Sequence, residues 1–205
     1  MPCKTIKILM LLLILIILSI CERTQAETIL LDDFEGAITG GVEGTVDFGA
    51  GNGSSVAVCA SSDIKQSGNQ SLKITYQAVE GGYMWVARGF QLDAKNAVWL
   101  VKPETIHWEK FKGISFYMYG MNSLVDVAFD IKDNGGEIWR YKITDEFTGW
   151  RKITCYWDEF FARNDWQPDN ANKNRILDFP LKSFQFEVLT PAEGVLYFDR
   201  VELVD

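Results

Sequence analysis

The chain has 205 residues, 20 Lys and Arg against 28 Asp and Glu, a single histidine, and a formal net charge of −8. That acidic balance lacks the basic patches that hold nucleic acid. One histidine, His107, argues against zinc sites built on histidine clusters and against Cys-His or Ser-His-Asp machinery beyond that one residue.

Residues 1–26 read as a secretory signal peptide. Lys4 and Lys7 precede Ile8–Ile20, a run of Ile, Leu and Met broken only by Ser19, and Thr24-Gln25-Ala26 offers a small-residue cleavage site. The apolar run is short for a membrane span. Cys21 opens a second route, lipid anchoring, but Ile20 stands where that signal wants a small residue. The expected mature chain, 27–205, is one domain, long enough for a substantial core. Removing Lys4, Lys7, Arg23 and Glu22 leaves 17 positive and 27 negative residues, a net of −10. These features predict a secreted protein with a neutral ligand and no membrane association after cleavage. Cys59 and Cys155 lie in apolar runs, so a disulfide and two buried thiols are both open. Asn52-Gly53-Ser54 and Asn69-Gln70-Ser71 are glycosylation sequons, meaningful in a eukaryotic source.

From residue 27 on, short β runs alternate with turn residues. Strands are expected near Thr28–Leu31, Ser54–Val58, Ser71–Gln77, Tyr83–Phe90, Ile114–Tyr119, Leu124–Ile131, Glu137–Ile143, Arg151–Tyr156, Phe184–Val188 and Val195–Leu203. Trp157 to Arg163 could form one helical turn. No other stretch has a sustained helical period. The expected fold is all-β, a two-sheet β-sandwich or jelly roll.

Alternation within the strands locates a polar face. Val125, Val127, Phe129 and Ile131 point one way; Asp126, Ala128 and Asp130 point the other. Arg140 alternates with Tyr141, and Gln185 shares a face with Glu187. Carboxylates, amides and aromatic rings on one sheet face suit a groove that holds a ligand. Asp126 and Tyr141 are candidate contacts there. In Gly81-Gly82-Tyr83-Met84-Trp85, two glycines allow a tight turn that brings Tyr83 or Trp85 to an edge, on one shared face.

The stretch Phe161–Pro168, FARNDWQP, sits outside any clean hydrophobic period and gathers Arg163, Asp165 and Trp166 within four positions. Sugar hydroxyls pair with planar bidentate groups, and sugar C–H faces lie against rigid aromatic rings. An Arg–Asp pair beside a half-buried Trp in a plain surface loop is the alternative reading.

These residues resemble family 11 carbohydrate-binding modules. LLDDFEG (Leu30–Gly36), GGYMW (Gly81–Trp85), GGEIWRYKIT (Gly135–Thr144), FARNDWQP, LDF (Leu177–Phe179) and LYFDRVELV (Leu196–Val204) occur in that family's order. The resemblance implies a jelly roll of the galactose-binding-domain-like kind, usually attached to β-glucanases, that binds β-1,4 and mixed-linked β-1,3-1,4 glucan without catalysis; a stand-alone binder, an assembly component and a partner of a separate glycoside hydrolase chain are all open. It implies that Tyr83, Arg163, Asp165, Trp166 (Trp in place of Tyr) and Asp178 contact the glucan. Asp133 stands near a ligand-contacting Asp of the family, behind a shorter loop. Two family aromatics are missing: no tyrosine lies between Ala37 and Thr45, and Glu187 and Val188 occupy the place of the other. The resemblance also implies structural calcium held by Asp33, Glu35 and Asp199. Strict alternation would turn Asp199 to the side of Val201 and Leu203, so a bulge is expected beside it.

Two other classes stand beside this one. A glycoside hydrolase needs two carboxylates about 5–9.5 Å apart, whereas Asp126 and Asp130, at i and i+4 on a strand, lie roughly 13 Å apart. The jelly roll of the intermediate-associated proteins of respiratory complex I assembly has a similar strand pattern and a Gly-Gly-aromatic turn, which would make this chain a protein-interaction domain; the signal peptide speaks against that compartment.

Overall fold

The computed structural model describes residues 28–205, so the expected signal peptide and Cys21 lie outside the described residues. Twelve strands form two sheets. The first sheet runs β3 (Ser55–Ser61), β4 (Ser71–Ala78), β12 (Ala192–Val204), β6 (Gly113–Met121), β9 (Thr148–Tyr156), with β1 (Thr28–Asp32) also paired to β12. The second runs β10 (Phe161–Ala162), β8 (Ile138–Thr144), β7 (Asp126–Lys132), β11 (Ser183–Val188), β5 (Tyr83–Gly89), β2 (Asp47–Gly51). All pairings are antiparallel. The expected all-β sandwich is the fold.

The period-2 pattern of the strands builds the core. Leu72, Ile74 and Tyr76 of β4 are buried while Lys73, Thr75 and Gln77 alternate with them at positions less covered. Phenylalanines from both sheets meet between the layers. Phe186 stacks on Phe198 with centroids 3.7 Å apart, and Phe116 lies 4.5 Å from Phe129. Burying such rings is the main favourable term in a fold of this kind.

Two strands escaped the sequence reading. β2 is the glycine-rich DFGAG, and β10 is only two residues long; neither carries a hydrophobic alternation. Where a helical turn was expected, a 3-10 turn, Trp157–Glu159, leads directly into β10. The thirteen-residue β12 changes partner along its length, pairing β4 through Ala192–Phe198 and β1 through Val201–Val204. At the changeover the register with β6 shifts between Asp199 and Glu202, and Arg200 adopts φ 49°. This bulge leaves Phe198, Val201 and Leu203 all buried in the core.

The two cysteines among the described residues are not bridged: Cys155 is buried in β9 and Cys59 is exposed on the edge strand β3, so neither the disulfide nor a pair of buried thiols is formed.

Candidate functional site

The outer face of the second sheet carries one continuous row across all six strands. Phe161 of β10 lies opposite Arg140, Arg140 opposite Asp130, Asp130 opposite Gln185, Gln185 opposite Ala87, and Ala87 opposite Asp47. Glu187, two residues along β11, and Trp85, two residues along β5, stand in the next row.

At the centre is a network of five charged groups. Asp130 is 0 % exposed, and both its oxygens accept from Arg140, Nε to Oδ1 and Nη2 to Oδ2, each at 2.8 Å. Arg140 Nη2 also donates to Glu187. Gln185 Nε2 donates to Asp130 Oδ2 at 3.2 Å. Arg163 reaches in from the loop after β10, its Nη1 lying 3.2 Å from Glu187 Oε2 and 3.5 Å from Asp130 Oδ2. Its other edge forms a fork with Asp165, Nε to Oδ1 at 2.8 Å and Nη2 to Oδ2 at 3.0 Å. Burial raises the Glu187 pKa above the ordinary carboxylate value, although both guanidinia oppose that shift. The Asp165 carboxyl is held below its ordinary value, chiefly by its hydrogen bonds from Arg163. Burial alone would lower the Arg140 pKa; the bonds and charges of Asp130, Glu187 and Asp165 outweigh it and push the guanidinium higher.

The loop is held in place by a side chain that mimics a strand. Arg163 N–H donates to the Ile138 carbonyl at 2.9 Å, extending the β10–β8 ladder. Gln167 continues it: its Oε1 accepts from Ile138 N at 2.8 Å, and its Nε2 donates to Ile138 O at 2.9 Å and Arg163 O at 2.8 Å. Between these anchors Trp166 projects outward, 57 % exposed, with Arg163 Cζ 5.8 Å from its ring centroid. The Arg163, Asp165 and Trp166 expected at a binding surface are therefore together on one face.

A second aromatic group lies across the same face. Trp85 lies opposite Gly49 and Tyr83 opposite Gly51. The two rings are nearly parallel, 14° apart with centroids 6.2 Å apart, and Tyr83 is 47 % exposed. Trp85 Nε1 donates to Asp47 Oδ1 at 3.0 Å.

Other expected site residues fall elsewhere. Tyr141 is not on this face: it lies opposite Phe129 on the core side, its ring 5.9 Å from Phe160, because Arg140 takes the outward position. Asp133 is 0 % exposed and builds the β7–β8 turn rather than a contact surface, accepting from Glu137 N at 2.8 Å, Trp139 Nε1 at 3.1 Å and Asp178 N at 3.3 Å. Asp178 is half-buried in the segment packed on that turn, and its carboxylate accepts from Asn172 Nδ2 at 3.0 Å. Asp126 shares the outer face but sits at the far end of β7, where it accepts from Thr144 Oγ1 at 2.8 Å. The alternation places Asp130, Arg140, Gln185 and Glu187 outward on three adjacent strands without marking them as site residues. Phe161 and Asp47, on the two strands that carry no alternation, are missed altogether.

The expected calcium ligands divide. Asp33 Oδ1 accepts from Glu35 N at 3.1 Å. The Glu35 carboxylate accepts from Asn69 N at 2.8 Å, Gln70 N at 3.2 Å and Asn69 Nδ2 at 3.0 Å. Asp199, buried by the bulge and the 62–70 loop, uses Oδ2 to accept from Gln66 N at 2.9 Å and Ser67 N at 3.0 Å. Its Oδ1 and the Oε1 of Gln66 are buried without a hydrogen-bond partner. Burial, with the nearby Glu35 charge as a smaller contribution, raises the Asp199 pKa. Two orphaned oxygens beside a second carboxylate suit a hard cation. Among the described residues no group of three or more His, Cys, Asp or Glu is arranged to hold a metal, so amide and backbone oxygens would have to complete such a site.

A family model described as "Carbohydrate binding domain (family 11)" matches residues 21–205. Among solved structures, the chain is similar to a family 11 carbohydrate-binding module from Clostridium thermocellum in complex with a beta-1,3-1,4-mixed-linked tetrasaccharide, at 22 % identity and TM-score 0.64 over 86 % of this chain and 95 % of that one. It is also similar to the family 11 module of the cellulosomal cellulase Lic26A-Cel5E of Clostridium thermocellum, at 21 % identity and TM-score 0.64 over 88 % and 96 % of the two chains. No curated protein matches the chain significantly.

Proposed function

The chain belongs to the family 11 carbohydrate-binding domains, and from that premise we propose that it is a secreted, non-catalytic binder of β-1,4 or mixed-linked β-1,3-1,4 glucan. The observation that carries this reading is the outward presentation of Trp166 and Asp165 by a loop locked to β8, above a network that already fixes Arg163. A pre-set ring and a pre-set hydrogen-bonding fork cost little ordering on binding. The solved relative whose title names a mixed-linked tetrasaccharide supports the ligand class, and the composition of residues 1–26 supports secretion.

The carboxylates of the face favour binding over hydrolysis. Asp130 and Glu187 are buried beneath guanidinia, so the raised pKa of Glu187 belongs to a carboxyl that a substrate does not reach, and the more exposed Asp165 has a depressed pKa, the reverse of what a general acid needs. A calcium ion is proposed at Asp199 Oδ1 and Gln66 Oε1, with Glu35 nearby; it would neutralise buried charge where β12 changes partner. A separate hydrolase chain that profits from being held near its polymer is the proposed functional partner.

The test is affinity electrophoresis in gels containing barley mixed-linked β-glucan, hydroxyethylcellulose, laminarin or xylan. Retardation in the first two is expected, lost in Trp166→Ala and Arg163→Ala. Free migration in every gel would overturn the reading and favour the protein-interaction class.

A further inference from the structure

The first sheet ends on an unguarded edge. β3, Ser55–Ser61, reads SVAVCAS: seven residues with no charge and no proline. It pairs with β4 on one side, and among the described residues no hydrogen bond from elsewhere reaches its backbone on the other. The remaining edges are protected in the ways that keep strands apart. β9 exposes Arg151 and Lys152, the Leu31 carbonyl of β1 accepts from Leu100 N at 2.8 Å, β2 begins at Asp47 and carries two glycines in five residues, and β10 has only two residues. The core is also open at β3. Val58 lies opposite Ile74, and Ile74 opposite Leu196, on the inner side. Ile74 and Leu196 are buried, whereas Val58 and its neighbour on that side, Val56, are only half-buried. A further strand laid along β3 would cover both.

The strand is complementary to itself. Laid antiparallel on a second copy about Val58, it sets Ser55 against Ser61, Val56 against Ala60, Ala57 against Cys59 and Val58 against Val58, so every pair is small and uncharged. We propose that β3 is the docking edge for a second copy of this chain, the two strands pairing antiparallel about Val58 so that the two first sheets become one. Such a contact is isologous and closes at two copies. Directly opposite side chains project to the same side of a sheet, so the half-buried valines of both copies face the same way. The second sheets, packed on that inner side, then lie next to each other, and both carry their Arg163–Trp166 face in one direction. Seven residues a side is fewer than the roughly 20–30 of a standard interface. The pair therefore forms at high local concentration, which two copies on one polymer provide. The pairing itself does not depend on the glucan reading; the gain in polymer binding rests on it.

The test is sedimentation velocity of the protein from about 1 μM to about 1 mM, the range of weak association. The weight-average mass is expected to rise toward twice the monomer value, and the double variant Ala57→Glu, Cys59→Glu to stay monomeric throughout. Both positions are exposed on the outer face, and Cys59 lies opposite Lys73 within its own copy. The fold is therefore kept while like charges meet across the pair, and an unchanged melting temperature checks this. Val58→Cys in a Cys59→Ser background gives a second readout. It sets two thiols directly opposite each other, and mild oxidation should yield a covalent dimer. Val56→Cys in the same background should not, because its two copies lie roughly 14 Å apart. The glutamate variant should bind cello-oligosaccharides as the unaltered protein does, and barley β-glucan at least about tenfold more weakly. A monomer at every concentration, or an equally strong dimer in the glutamate variant, overturns the proposal while leaving the glucan reading intact. A dimer lost in the glutamate variant, with no binding to any glucan, upholds the docking edge and overturns the glucan reading.

Discussion

Gln167 behaves as a stretch of backbone. Its amide donates and accepts opposite Ile138, the bond pair a strand residue would make, and its second donor ties down Arg163 O. A side chain rather than a strand is used because the chain must leave the sheet here, at Pro168, which has no N–H to give. Removing the amide takes the acceptor from Ile138 N and the donor from Arg163 O, while Ile138 O keeps the Arg163 N–H. Gln167→Ala should therefore cost about 1–3 kcal/mol in chemical denaturation and should weaken glucan binding more than a matching change on the opposite sheet. Unchanged binding in a folded Gln167→Ala protein would show that the loop positions itself without the anchor. The LDDFEG motif resolves in the same residue-level way. Asp32 Oδ2 bonds Arg88 Nε at 2.6 Å and Glu35 closes the Asn69–Gln70 turn, so the motif is scaffolding rather than binding surface.

At the scale of elements, the telling strand is β12. It needs one residue out of register to keep Phe198 and Val201 both in the core, and Arg200 supplies it with a left-handed backbone, φ 49°. A non-glycine residue pays a steric penalty there. Arg200→Gly should be more stable than Arg200→Ala by about 1 kcal/mol, compared by urea denaturation; equal stabilities would mean the bulge relaxes in the variants. The position of the bulge was legible from the phase conflict between Asp199 and the apolar Val201 and Leu203. The ten strands were legible for the same reason, each having one face forced inward by apolar residues. β2 and β10 were not. Asp47–Gly51 offers two glycines in five residues and is held in the sheet by its partner β5 and the rings lying across it, a tertiary cause that no local pattern encodes. The candidate site was legible in part. Arg163, Asp165 and Trp166 stood out by composition. Tyr141 misled because an aromatic beside an arginine fits either face, and only the pairing of Phe129 with Tyr141 decides which.

For the molecule as a whole, the two sheets are joined by the aromatic layer around Phe186 and Phe198, while the sandwich's one internal fault line is where β1 and β4 meet along β12. Asp199 is buried there with an unpartnered oxygen. Its raised pKa has a definite sign: without a cation the folded state favours the protonated acid, so stability is greater at low pH and falls as pH rises through the raised value. A bound cation reverses the penalty. At calcium about a hundredfold above its Kd the gain is about 2.7 kcal/mol, or a Tm increase of about 5–10 °C for a domain of this size. Calorimetry at pH 7 with calcium and with EDTA should show that difference, and Asp199→Asn should remove it. Identical melting in both conditions would mean that the acid simply tolerates its burial.

The network under the loop has a further consequence, for the kind of polymer this face rejects. Two guanidinia, Arg140 and Arg163, are matched against three carboxylates, Asp130, Asp165 and Glu187. Every positive charge is already internally satisfied, and one negative charge is left over. A uronic-acid polymer of the same length and shape would meet repulsion from that surplus charge, and the exposed Lys142, opposite Ala128 on this face, is the cation nearest to hand to offset it. An uncharged chain would bind by contacts that dissolved salt hardly screens, because no net charge is neutralised when it docks. The arginines thus serve as rigid donors and not as attractors, and a binding isotherm that stays constant from low to high ionic strength is their signature.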